Sequence, residues 1–372
     1  MNQATVDKLA FVNALGHIKD NARGPSLSLS GCVLLELEAG YLRLSSMRTG
    51  ELDLSLTLPA DTGLMGETPA VAVPVATLHE LARNMPSGRV ELTITPSRLD
   101  LRGGSNEVHL SPVSLDDVDL PGLHADYSHG TEPFTLNITD LKAALDAVKY
   151  AVSSENFQAV MRGVHMEFGP DGVRLVGSDG YRLAVADLQA AAPHKMSALP
   201  LARLIVSAVK VMQGEHCAVS VKDDRLIFRT ASASIRVPLL DGDYADYKRV
   251  LPAVSGHTCT LPAASLSAAV SRASIMADKN ANNHIEFLLD PEDKFLRLCA
   301  EGDYGRVDET LEMKPGNELE ARSLGFNARY LLEALAGCTG VVTLDLGARS
   351  GMPIRVTSGT AGVVAVVVPL RA

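Results

Sequence analysis

Two loops of this chain carry carboxylates close enough together to hold a hard cation: Asp116, Asp117 and Asp119 in one, Asp241, Asp243 and Asp246 in the other. A calcium loop of the EF-hand kind needs a glycine at its sixth position and a bidentate glutamate at its twelfth. Neither loop has that set, so both read as acidic turns between domains and no metal is expected. Ser178-Asp179, flanked by Gly177 and Gly180, has the composition of a nucleophile turn. GxSxG geometry is missing, because Gly177 directly precedes the serine, and no motif brings a histidine to it. The 10 histidines are scattered without an HExxH pair, and His216-Cys217 and His257-x-Cys259 lack second ligand pairs. The 5 cysteines (Cys32, Cys217, Cys259, Cys299 and Cys338) are odd in number, far apart and without a CxxC pair, which argues against zinc ribbons and disulfide frameworks. No catalytic residue and no cofactor is expected.

The elements that would carry these residues repeat. PVATLHELARNM from Pro74, PLARLIVSAVKVM from Pro200 and FNARYLLEALAG from Phe326 start at equal intervals of roughly a third of the chain. Ala76, Ala202 and Ala328 fall in register. An earlier set of helical segments aligns on Leu15, Leu145 and Val270. Apolar residues at 3–4 spacing (Val6, Phe11, Leu15, Ile18) mark helices, and alternation such as Cys32 to Leu37 or Val164 to Phe168 marks strands. Helices are predicted at about 5–23, 75–84, 139–150, 201–212, 264–273 and 327–337. The pattern implies an α+β chain of three similar modules, 1–128, 129–252 and 253–372, each made of two helix-plus-sheet halves. Such modules in series stack as a solenoid or curve toward closure.

The formal net charge of −10 argues against a nucleic-acid binder, yet its distribution does not. The predicted helices carry Lys8, Lys19, Arg23, Arg83, Lys142, Lys149, Arg203, Lys210, Arg272 and Arg329 against six acidic residues, so a mildly basic helical layer sits on an acidic body. No signal segment is evident at Met1, and the longest apolar run, Val363 to Leu370, falls short of the roughly 20 residues that span a bilayer. A reducing cytoplasm and no membrane are expected.

Three motifs carry a resemblance. Ser178-Asp-Gly-Tyr-Arg-Leu-Ala184, Asp246-Tyr-Lys-Arg-Val-Leu-Pro252 and the apolar tail ending Pro369-Leu-Arg-Ala372 occur in the order seen in the bacterial sliding clamp family, the β subunit of DNA polymerase III. Glu155 to Val164 is similar to the stretch that precedes the first motif. The likeness covers residues 129–372 by motif and 1–128 mainly through the repeat.

The resemblance implies three DNA-clamp domains per chain, helices inside and sheets outside, closed head to tail by two chains into a ring. It implies a non-enzymatic processivity factor that encircles double-stranded DNA without reading bases. Implied partners are the DNA polymerase III catalytic subunit, a clamp loader, other proteins with a clamp-binding motif, and a second copy of the chain. Residues implied to face DNA are Lys8, Arg23, Arg83, Lys142, Lys149, Arg203, Lys210, Arg272 and Arg329. The implied partner-peptide pocket is Met161, Ser178, Gly180, Tyr181, Arg182, Leu183, Arg249, Val250, Val366, Val367, Val368, Pro369 and Leu370. Aliphatic walls supply burial at about 25 cal/mol per Å² and the arginines orient polar groups. A dimer seam of Val108 and Leu110 against Ile275 and Met276 is implied as well. Departures from the family pattern stand at Ala245, Tyr181, Leu370 and Ala372, on the pocket, and at Val108, where an aromatic is usual. A second reading is an accessory paralogue, or a repeat-built interaction protein that keeps the pocket without encircling DNA.

Overall fold

The structure, a computed structural model, describes residues 2–22, 28–47, 51–64, 70–86, 88–116, 130–154, 159–303, 305–349, 351–360 and 362–370. Along the chain one order recurs six times: a strand, a helix, then three strands. The chain divides into two compact units, residues 1–139 with 203–239, and residues 140–202 with 240–372. The joint expected near 128 lies outside the described residues; the one near 252 falls in a loop between a 3₁₀ turn ending at Arg249 and a strand starting at Thr258.

In the first unit, β1 (Asn2–Asp7) leads into α1 (Lys8–Asn21), followed by β2 (Cys32–Glu38), β3 (Tyr41–Ser46) and β4 (Asp53–Gly63). β5 (Val71–Pro74), α2 (Val75–Asn84), β6 (Arg89–Thr95), β7 (Arg98–Gly103) and β8 (Asn106–Leu110) repeat the order. β9 (Phe134–Asn137), α4 (Ala202–Val211, from its second residue), β14 (His216–Lys222), β15 (Arg225–Arg229) and β16 (Ala233–Pro238) complete it. The sheet runs β8-β7-β6-β1-β4-β16-β15-β14-β9, with β2, β3 and β5 branching from β4. Helix was expected from about residue 5, but residues 2–7 form a strand. Ala4 and Val6 are both buried, two apart, which a strand allows and a helix does not. Asp7 then caps α1, its carboxylate accepting from the Ala10 N–H at 2.8 Å. Phe11, Leu15 and Ile18 of α1 and Leu78 and Ala82 of α2 fill the helix side of the core.

In the second unit, α3 (Ile138–Val148, from Asp140) precedes β10 (His165–Gly169), β11 (Gly172–Ser178), β12 (Arg182–Leu188) and β13 (Met196–Ala198). Then follow β17 (Thr258–Pro262), α5 (Ala263–Met276), β18 (His284–Asp290), β19 (Phe295–Gly302), β20 (Gly305–Glu312) and a two-residue β21 (Lys314–Pro315). β22 (Arg322–Asn327), α6 (Ala328–Leu335), β23 (Val341–Asp345), β24 (Ile354–Ser358) and β25 (Val363–Val367) end the chain's regular structure. One sheet runs β13-β10-β11-β12-β25-β24-β23-β17-β21 and another β20-β19-β18-β22. Leu266, Val270 and Ala273 of α5 and Leu331 and Leu335 of α6 pack with Phe287 and Phe326, whose rings meet edge-on at 5.2 Å.

Two pairings share a logic. The last strand of one five-element repeat pairs antiparallel with the last strand of an earlier one: β16 with β4 and β25 with β12. The remaining repeat-ending strands, β8 and β20, each stand at a sheet edge.

Candidate peptide-binding site and basic helix surface

The β11–β12 turn is built by its own side chains. Asp179 accepts from the N–H groups of Tyr181 and Arg182 at 2.9 and 3.0 Å, and Ser178 Oγ donates to the Arg182 carbonyl at 2.9 Å. The hydroxyl that could have been a nucleophile is therefore a turn support. Gly180 has φ +89°, a conformation that L side chains rarely adopt. At Gly177 a Cβ would meet the Val148 carbonyl oxygen at 2.4 Å, so the glycine lets β11 lie against the end of α3.

Beyond the turn, strand alternation decides which side chains meet. Leu183 and Val185 of β12 and Val366 of β25 cluster with Val176 and Tyr247 on one face of the sheet. Ala365 and Val367 belong to the helix-side core on the other. On the first face lies a cavity of about 200 Å³ lined by Met161, Ser178, Gly180, Arg182, Leu183, Val250, Val366 and Val368. Tyr244, Ala245, Asp246, Tyr247 and Pro353 complete its wall. A small apolar recess with a few polar groups suits one or two apolar anchors of a ligand.

Five of the expected pocket residues stand elsewhere. Val367 is fully buried on the helix side, because consecutive valines of a strand point opposite ways. Pro369 is buried, and the Leu370 N–H bonds the Gly325 carbonyl at 2.8 Å. Tyr181 is 64% exposed at the rim, stacked 6.4 Å from Tyr330. The Arg249 side chain is 84% exposed and pairs with Asp246 at 2.9 Å. The second wall was legible only in part: Asp246 and Tyr247 belong to a motif noted in the sequence, whereas nothing local pointed to Tyr244 or Pro353.

Under this wall a polar group holds the 244–250 segment. His165 stacks on Tyr244 at 4.8 Å, the Tyr247 hydroxyl donates to Glu167 at 2.9 Å, and Lys248 pairs with Glu167 at 3.1 Å. Burial pushes the His165 imidazole below its ordinary value, partly offset by Glu167. Burial raises Glu167, but the hydrogen bonds from Lys248 and Tyr247 outweigh it and the net shift is downward. Burial drives the Tyr244 phenol well up.

The basic helix residues are mostly engaged. Arg83 pairs with Glu80 at 2.8 Å, Lys149 with Asp146, and Arg329 with Glu333 at 3.3 Å. Arg203 makes a two-pronged pair with Glu51 at 2.9 Å, and Arg272 with Glu309 at 2.6 Å. Glu51 and Glu309 lie outside the helices, so the local positive excess is smaller than helix composition suggests. Lys8 Nζ donates to the Met85 carbonyl and Lys142 is half-buried. Lys210 is exposed and has no ion pair among the described residues. Arg23 lies outside the described residues.

Of the expected seam residues, Val108 and Leu110 are half-buried on β8, Ile275 is 78% exposed on α5 and Met276 is half-buried. Of the acidic loops, Asp117 and Asp119 lie outside the described residues and Asp246 is held by Arg249. Among the described residues one carboxylate–histidine group, Asp100, Glu107 and His109, could gather on a metal. There Arg98 and Arg102 already engage Asp100 and Glu107. The five cysteines are unpaired, and burial pushes the thiols of Cys217 and Cys259 up to about 11 and about 12. No helix among the described residues is long and apolar enough to cross a membrane.

Two family models match: the DNA polymerase III beta subunit central domain over residues 135–246 and its C-terminal domain over residues 248–348, together more than half of the chain. The beta sliding clamp of Synechocystis sp. is 27% identical over 350 residues, 84% of each chain. The DNA polymerase III subunit beta of Pseudomonas aeruginosa matches over 100% of both chains with a TM-score of 0.88 at 20% identity. That of Thermotoga maritima matches over 100% of both with 0.84 at 21%.

Proposed function

The chain belongs to the DNA polymerase III beta subunit family, and from that premise we propose that it is a sliding clamp which encircles duplex DNA and tethers the polymerase for processive synthesis. The observation that carries the ring is the strand pairing. Repeat-ending strands pair in two places, and β8 and β20 are left as edges with the same position in their repeats. An unpaired edge is a template for another strand. A second copy would satisfy both, β8 of each chain on β20 of the other, giving a closed two-fold assembly.

The register follows from the pairs already made. The Leu101–Val108 pair of β7–β8 matches Val356–Ala365 of β24–β25. The Glu301–Arg306 pair of β19–β20 matches Ser178–Leu183 of β11–β12. Ala365 pairs with Ala184, so Val108 should stand opposite Val307 of the second copy. In this register Val108 and Leu110 would meet Ile275 and Met276 of the other chain's α5.

In this reading the chain forms three domains, 1–128, 129–252 and 253–372, and acts without catalysis or cofactor. Lys210 and the paired Arg83, Lys149, Arg203, Arg272 and Arg329 supply weak phosphate contacts that exchange as the ring moves. The cavity beside Leu183 and Val366 takes apolar anchors from the polymerase, a clamp loader and other proteins with a clamp-binding motif, and the protein works with DNA in the cytoplasm. The test is topological. Loaded on a nicked circle, the protein should stay bound and then fall off when the DNA is linearised. Retention on linear DNA with free ends would overturn the ring, and a monomer at micromolar concentration would favour an interaction protein that keeps only the pocket.

A further inference from the structure

Arg182 lies beneath the pocket with its side chain only 5% exposed. Its guanidinium sits 4.5 Å from the centre of the Tyr330 ring and 5.6 Å from that of Tyr150. Nε donates to Asp179 at 3.0 Å and Nη1 pairs with Glu333 Oε2. Asp179 belongs to the same turn as Arg182. Glu333 comes from α6, and its other oxygen, Oε1, accepts from Arg329 Nε at 3.3 Å. A single carboxylate thus faces a buried cation on one oxygen and an exposed cation on the other. Glu333 also borders a second cavity of about 690 Å³, shared with Asp140, Lys149 and Tyr150, which leaves the carboxylate room to shift.

We propose that Glu333 is a positioning residue for the peptide pocket and couples it to the basic helix surface. A desolvated guanidinium depends on its counter-charge to keep its place. With Arg329 bound, Glu333 divides its charge between two cations. Phosphates that draw Arg329 away leave the carboxylate to Arg182 alone, which firms the β11–β12 turn and the pocket floor. Peptide affinity then rises when DNA is present, and by linkage DNA is held more firmly when a peptide is bound. The inference rests on the pocket and DNA readings above.

A labelled peptide with apolar and aromatic anchors, titrated onto the full-length protein by fluorescence anisotropy, tests it. Glu333→Gln should weaken peptide binding about tenfold, since a counter-charge to a buried guanidinium is lost. Arg329→Ala should strengthen it about twofold, in the range of exposed ion pairs. The double variant should bind like Glu333→Gln alone, because Arg329 acts only through that carboxylate. Excess short blunt duplex should strengthen wild type as Arg329→Ala does and leave both variants unchanged. Additive effects in the double variant, or a duplex response that survives in Arg329→Ala, would overturn the coupling. If Glu333→Gln unfolds, the loss of the duplex response in Arg329→Ala still decides. Failure of the wild-type protein to bind the peptide at all would overturn the pocket reading, and the inference with it.

Discussion

The β4–β16 and β12–β25 pairings use the same backbone connection and fill it in opposite ways. Beside the first, Asp53 is buried with Arg225 at 3.4 Å and Arg236 at 3.5 Å, and Ser45 bonds Ser55 at 3.0 Å. Arg225 also donates to the Glu51 carbonyl at 3.1 Å. Beside the second stand Leu183, Val185 and Val366, with an open recess above them. Backbone pairing joins the repeats in both places, while side chains decide whether the join is sealed by charge or left with an open apolar recess. The copies diverge at the recess that the proposed function gives to a partner peptide.

The largest effect should come from unsealing the closed junction. Asp53→Ala leaves two arginines, one of them buried, without their shared counter-charge, and breaking a buried pair from one side costs about 3–5 kcal/mol. Chemical denaturation should show that loss while peptide affinity stays at the wild-type level. An equal loss of peptide binding would mean that the two junctions are not separable.

Next in size is Leu183→Ala in the open junction. Removing a buried leucine side chain costs about 2–5 kcal/mol of stability. Here the change should also weaken peptide binding by roughly tenfold or more, as apolar contact with the anchor disappears. Peptide binding that stays unaltered would show that the recess is not the receiving surface.

The contrast also explains what could be read in advance. Aliphatic periodicity is local, so five of the six expected helices begin within a residue of expectation; α1 departs because Asp7 caps it late and Ala4 and Val6 pair as a strand. The Ser178–Arg182 turn was legible because its bonds lie within five residues. Pro353 and Tyr244 were not, because they reach the cavity through strand pairing and a loop between repeats. Val366 and Val367 look alike in sequence, and only the register against β12 gives them opposite faces. The charge surplus of the helices was legible too, but Glu51 and Glu309, which reduce it, come from segments far along the chain.

A smaller effect should appear with pH. His165 titrates below its ordinary 6.5 when folded, because burial disfavours its charged form. The unfolded chain therefore takes up the proton first, and stability falls as pH drops below 6.5. His17, lowered mainly by burial, acts in the same direction in the first unit. His165→Gln should flatten the pH dependence of unfolding without abolishing it. No change in that slope would remove His165 from the support of the Tyr244–Val250 wall.

The smallest effect separates a free cation from a paired one on a single helix. Lys210 and Arg203 both lie on α4, but among the described residues only Arg203 is held, by both oxygens of Glu51. Each lysine that meets a phosphate contributes about 0.9 to the slope of log affinity against log salt for duplex DNA. Lys210→Ala should therefore lower that slope by nearly this amount per chain. Arg203 must give up one carboxylate before it can take a phosphate, so Arg203→Ala should lower the slope by less than half as much. Duplex titrations at several salt concentrations measure both. Equal slopes for the two variants would mean that the Glu51 pair does not restrain Arg203 on DNA, and the paired arginines of the other helices would then count as full phosphate contacts.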